Sequence, residues 1–171
     1  MLRSRVPLTL FVSGFLATLA LTQEMQPAGH SLPAFAQLKK LVGSWDGTAT
    51  RSQKVHVTYQ LISNGRVLME RLSPGNEPDM ITTYTLQGDR ILANHSCSAG
   101  NPPVMQSSAS PAANGVYEFT FLRLDGAKSH GEGPMVGLFI SLPDKDHMPQ
   151  TWTFQGNGKS HSEDFSYTRK G

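Results

Sequence analysis

Only one cysteine, Cys97, occurs in 171 residues, so no intrachain disulfide can form and the fold must rest on packing and hydrogen bonds. Charge of one sign is also missing. Lys and Arg number 15 against 13 Asp and Glu, interspersed, for a net charge of +2. A basic face for nucleic acid is therefore not expected. Past residue 21 no apolar run approaches the ~20 residues of a membrane-spanning helix. A Gly-rich phosphate loop, a Ser-His-Asp order, paired catalytic carboxylates and a C-x-x-C pair are all lacking, which favours a binding protein over an enzyme.

What is present begins with a targeting pattern. Arg3 and Arg5 precede the apolar stretch Val6–Leu21, and Thr18-Leu19-Ala20 places small residues at −3 and −1 of a cleavage point. Residues 1–20 read as a signal peptide, and the short apolar stretch indicates export to periplasm or medium without a membrane anchor. Residues 21–32, polar with Pro27 and Gly29, read as a flexible leader. Residues 33–171 are long enough for one domain with a real core.

Pro33 suits a first helical turn, Phe35, Leu38 and Leu41 recur at helical spacing, and Gly43 can stop the helix. A helix over Pro33–Val42 is too short to stand alone, so its apolar stripe should plug one end of the domain built by the rest of the chain. After Trp45 the period becomes two. Strands are predicted over 45–51, 54–63, 66–73, 79–87, 90–98, 103–109, 115–124, 134–142, 149–155 and 161–169. Asn64-Gly65, Gly88-Asp89 and Asn157-Gly158 are two-residue hairpin signals. Short strands at regular spacing with no helices between them make an all-β sandwich or barrel.

The hairpins set registers, and the registers sort the faces. A turn at Gly88-Asp89 sets Leu86 against Ile91, Tyr84 against Ala93, Thr82 against His95 and Met80 against Cys97. A turn at Asn64-Gly65 sets Leu61 against Leu68, Tyr59 against Glu70 and Val57 against Leu72. Asn157-Gly158 sets Phe154 against His161 and Trp152 against Glu163. The inward set is then apolar and aromatic with a polar minority: Glu70, His95, Cys97, His161, Glu163 and Arg169. A packed core would exclude most of these, because each unpaired buried polar group costs a few kcal/mol. A wet or ligand-filled lumen tolerates them.

Gly43-Ser44-Trp45-Asp46-Gly47 resembles the GxWxG opening of the calycins, the superfamily of lipocalins, fatty-acid-binding proteins and nitrobindin-like barrels. The resemblance implies a closed up-and-down antiparallel barrel of about ten strands, plugged by the short helix. It also implies that Trp45 packs at the closed end against an arginine of the last strand, a role open to Arg169, with Gly43 and Trp45 structural. By the same resemblance the barrel binds a small apolar or amphipathic molecule in its lumen. The nitrobindin-like alternative implies haem, with His161 as proximal ligand in a protein acting on reactive nitrogen or oxygen species. A packed barrel serving as an interaction module is the third reading. Enzymes also occur on such barrels, so a lack of motifs does not close that question.

The candidate ligand-binding residues are Tyr59, Glu70, Met80, Tyr84, His95, Cys97 and Trp152. The plain alternative for His95 and Cys97 is a hydrogen-bonded core histidine beside an inert buried thiol. That for Glu70 is pairing with an arginine or trapped water, while burial would raise its pKa and fit it for acid–base work. His130 and His147 are expected on solvated loops.

Overall fold

In a computed structural model, which describes residues 31–108, 115–126 and 133–171, the chain forms one closed antiparallel barrel. The segments expected as signal peptide and, for nearly all of its length, leader lie outside the described residues, as does His130. Helix α1 (Ser31–Leu38) runs into a 3-10 turn (Lys39–Leu41). Ten strands follow: β1 (Gly43–Ala49), β2 (Lys54–Ile62), β3 (Val67–Ser73), β4 (Met80–Gln87) and β5 (Arg90–Ser96), then β6 (Pro103–Ser107), β7 (Val116–Leu124), β8 (Met135–Ser141), β9 (His147–Gly156) and β10 (Lys159–Arg169). Each strand pairs with its neighbour in sequence, and β1 pairs with β10 to close the sheet. Closure removes both open edges, which would otherwise invite pairing with another chain.

Turn chemistry sets the registers as expected. Gly88 has φ +61°, and across its turn Leu86 meets Ile91, Tyr84 meets Ala93 and Thr82 meets His95. Asn157 and Gly158 both have positive φ, and Phe154 meets His161. At Asn64-Gly65 the turn is wider than expected: β2 ends at Ile62 and β3 starts at Val67. Two residues added symmetrically leave the register intact, so Tyr59 still meets Glu70. The helix starts earlier than expected and tightens before Gly43. β5 stops at Ser96, so Cys97 lies beyond the strand and has no partner in Met80. His147 opens β9 opposite Thr168, on the surface but not in a loop.

The core occupies the lumen from the helix end inwards. Phe35, Leu38 and Leu41 are buried in the same cluster as Trp45, Val57, Leu68, Tyr84, Phe119, Ile140 and Tyr167. Tyr117 Oη donates to Ala34 O at 2.8 Å, and Trp45 Nε1 donates to Leu41 O at 2.8 Å. The two bonds tie the helical segment to the end of the barrel. Its backbone carbonyls thus become acceptors for core side chains that would otherwise be buried unpaired.

Closure is pinned at one point. Trp45 pairs with Arg169 in register, and the guanidinium lies 4.1 Å from the centre of the indole. The same group donates to Lys145 O, Val42 O and Lys40 O. One side chain therefore joins the last strand, the β8–β9 loop and the end of the helical segment. Both glycines flanking Trp45 have steric reasons. Gly43 has φ +127° with Arg169 Nη1 only 3.1 Å from where a Cβ would stand. A Cβ at Gly47 would meet Ser166 O at 2.5 Å. Close passage of β10 forbids it.

Arg169→Ala should destabilise the fold by about 2–4 kcal/mol, since it removes charged hydrogen bonds and the ring contact together. Arg169→Lys should recover less than half of that, because an ammonium cannot reach three divergent carbonyls as a planar fork does. Urea denaturation of the three proteins measures both.

Candidate functional site

Alternation along β2, β3, β4 and β9 points Tyr59, Glu70, Tyr84, Thr82, Gln150 and Trp152 into the lumen, where all are buried. Glu70 is the centre of the group. Its Oε2 accepts from Tyr59 Oη at 2.6 Å and from Tyr84 Oη at 2.8 Å, and its Oε1 accepts from Thr82 Oγ1 at 3.2 Å. Tyr59 Oη in turn accepts from Gln150 Nε2 at 2.8 Å, and Gln150 Oε1 accepts from Trp152 Nε1 at 3.0 Å. On the other side Thr82 Oγ1 lies 2.9 Å from His95 Nδ1. An unbroken polar chain therefore runs from Trp152 through Glu70 to His95 inside an apolar barrel.

Glu70 has hydroxyl partners and no arginine, contrary to the usual pairing of a lumen carboxylate. Burial pushes its pKa above the ordinary carboxyl value, against the pull of the three donated hydrogen bonds. Burial and the neighbouring carboxylate push the Tyr59 and Tyr84 phenols well up, so both stay protonated. Burial lowers His95 to about 4, which keeps its imidazole neutral at ordinary pH.

A cavity of about 210 Å3 opens above this chain, at the end of the barrel away from the helix. Met80, His95, Cys97, Trp152, Phe154 and His161 are among its walls. The Trp152 indole meets the His95 ring edge-on at 5.0 Å and tilts against Phe165 at 4.9 Å. Of the expected binding residues, Met80, His95, Cys97 and Trp152 line the cavity. Tyr59, Glu70 and Tyr84 do not. They lie deeper, in packed core, because large side chains from the helix and β1 fill that end of the lumen. Cys97 is half-buried at the mouth.

His161 is exposed at the rim, its ring stacked 5.1 Å from that of Phe154. The residues present do not fit haem. Drug-sized ligands already need ~300–1,000 Å3 of pocket, more than this cavity offers, and the proposed ligand's ring is engaged with Phe154. Among the described residues, no cluster of three or more His, Cys, Asp or Glu has metal-site geometry.

Sequence reasoning passed over Gln150, although the register at Asn157-Gly158, carried two residues past Trp152, points it inward. It named Thr82 only as a neighbour of His95. No local pattern marks a threonine as a bridge between two titratable groups.

No protein-family model matches this chain, and no curated protein matches it. Its fold is similar to that of a protein of unknown function from the DUF3598 family of Nostoc punctiforme PCC 73102, with a TM-score of 0.55 at 17% identity. The match covers 78% of this chain and 48% of that one, so this chain spans about half the length of its neighbour. The likeness concerns the barrel fold alone.

The two buried titratable groups pull stability in opposite directions with pH. Glu70 has a raised folded pKa. As pH climbs above 4.5 the unfolded chain loses this proton before the native one does, so stability falls. His95 has a lowered folded pKa. As pH drops below 6.5 the unfolded chain gains a proton that the native one refuses, and stability falls again. Glu70→Gln should therefore improve relative to the wild type as pH rises from 4.5 to 7. His95→Gln should improve relative to it by about 2 kcal/mol as pH falls from 7 to 5. Denaturant titrations across that range check both signs.

Proposed function

We propose that this chain is an exported, calycin-type barrel that binds a small, mainly apolar molecule in the cavity at its open end. The reading rests chiefly on one observation: an aromatic cavity whose floor carries the end of a buried polar chain at His95. The apolar part of the wall, Met80, Trp152, Phe154 and Phe165 among it, supplies affinity at ~25 cal/mol per Å2 of buried surface, and polar side chains such as His95 and Glu77 fix orientation. Volume sets the size class. A dry cavity of ~150 Å3 accepts one benzene ring, so about 210 Å3 suits a substituted single ring or a short aliphatic chain.

Support for the calycin assignment comes from the barrel with its end-on helix and from the Trp45–Arg169 contact behind the Gly43-Ser44-Trp45-Asp46-Gly47 opening. Support for export comes from Arg3, Arg5 and the apolar stretch Val6–Leu21 before small residues at 18 and 20.

Trp152 lines the cavity, whereas Trp45 is sealed at the helix end, so intrinsic fluorescence separates the two regions. Small aromatic compounds titrated into the Trp45→Phe protein should give a saturable change in Trp152 emission. Coupling a bulky maleimide to Cys97 at the mouth should weaken that binding at least tenfold. Absence of saturable binding by any single-ring or short-chain compound would leave a packed barrel serving as an interaction module.

A further inference from the structure

His95 stands between two environments. Nδ1 faces Thr82, while the ring forms part of the cavity wall. Nε2, across the ring, makes no hydrogen bond within the described residues and is left for the cavity. Whether Nε2 offers a lone pair or an N–H depends on which nitrogen holds the single proton of the neutral ring.

Thr82 decides this. Its hydroxyl has one proton and two neighbours, Glu70 Oε1 at 3.2 Å and His95 Nδ1 at 2.9 Å. With Glu70 ionised, the hydroxyl must donate to Oε1, so it accepts from Nδ1–H and Nε2 carries a lone pair. Oε2 already accepts two phenol protons, so a proton gained by Glu70 sits on Oε1 and points at Thr82. The hydroxyl then donates to Nδ1, and Nε2 must carry the N–H.

Resting on the ligand-binding reading, we propose that the cavity selects its ligand by hydrogen-bond polarity, and that Glu70 sets this polarity through Thr82 and His95. With Glu70 ionised the site takes a ring-sized molecule bearing a donor, such as a phenol. With Glu70 protonated it takes one bearing an acceptor, such as an aryl ketone.

The same three groups give buried Glu70 its route to solvent. A proton from water at the cavity mouth binds Nε2, the Nδ1 proton passes to Thr82 Oγ1, and the Thr82 proton passes to Glu70 Oε1. One proton enters, one carboxylate is neutralised, and His95 ends neutral in the other tautomer. Around Glu70 the other titratable groups are the phenols of Tyr59, Tyr84 and Tyr167, all raised and so protonated throughout. Around His95, the cavity wall holds Glu77, Cys97, His161 and Glu163. Burial lowers His95 to about 4 and raises Glu70, so the ring is neutral as Glu70 takes up its proton.

Imidazole 15N spectra of the full chain, with His95 assigned by its loss in His95→Gln, read the tautomer directly. From pH 8 to 4.5 the wild type should pass from the Nδ1–H to the Nε2–H form. Thr82→Ser should keep that change, and Thr82→Val, which removes the bridging hydroxyl at equal size, should abolish its link to pH. The affinity ratio of phenol to acetophenone should fall at least tenfold over the same range in the wild type and stay constant in Thr82→Val. A tautomer fixed across the range, or a Thr82→Val protein that switches as the wild type does, overturns the relay while leaving ligand binding intact. Tautomer switching with no binding of either compound overturns the ligand reading, and polarity selection with it.

Discussion

The pairing of β1 with β10 is the constraint on which everything else depends, and Arg169 enforces it. A ten-strand sheet that failed to close would expose two edges and open its lumen to water. The guanidinium is held by three carbonyls and by the Trp45 ring, so it fixes both the register and the position of the helical segment. With that end of the lumen packed by the helical segment and the core around Trp45, the cavity floored by Trp152 and His95 lies at the opposite mouth. The location of the cavity is thus a consequence of how the barrel closes.

Burial of Glu70 without a cation stems from the same asymmetry. Near the packed end a bare carboxylate would be prohibitive, yet Oε2 accepts from hydroxyls of β2 and β4 and Oε1 from a hydroxyl of β4. A buried network of this sort is stable only when its enclosed atoms are satisfied, and among the described residues no fully enclosed side-chain nitrogen or oxygen lacks a partner, His95 Nε2 being turned to the cavity. The network joins strands far apart in sequence, since Tyr59 and Gln150 sit on opposite sides of the closure. It therefore specifies one arrangement of the core as well as carrying charge.

Much of the fold was legible because a barrel is governed by short-range rules. Period-two alternation placed ten strands, and Gly88-Asp89 and Asn157-Gly158 set registers that sort the inward residues of β4, β5, β9 and β10. Pro33, Phe35, Leu38 and Leu41 indicated a helix that must bury its stripe. Less of the site could be read. Alternation says that Tyr59, Glu70 and Tyr84 point inward but not how far down the lumen the packing extends, because that depends on the bulk of residues from several strands at once. Cys97 was misplaced for a simpler reason. The turn-forming residues Ser98 to Asn101 end β5 at Ser96, two residues before the expected end, and the cysteine moves from the strand to the mouth.

The central claim is that the free space at the open end, floored by Trp152 and His95, is a ligand site. Crystals soaked with 4-bromophenol test it most directly. A bromine anomalous peak within the cavity, with the phenol oxygen within hydrogen-bond distance of His95 Nε2, is the expected result. Bromine density only at the helix end or on the outer face of the barrel, with the open end unchanged, would contradict it.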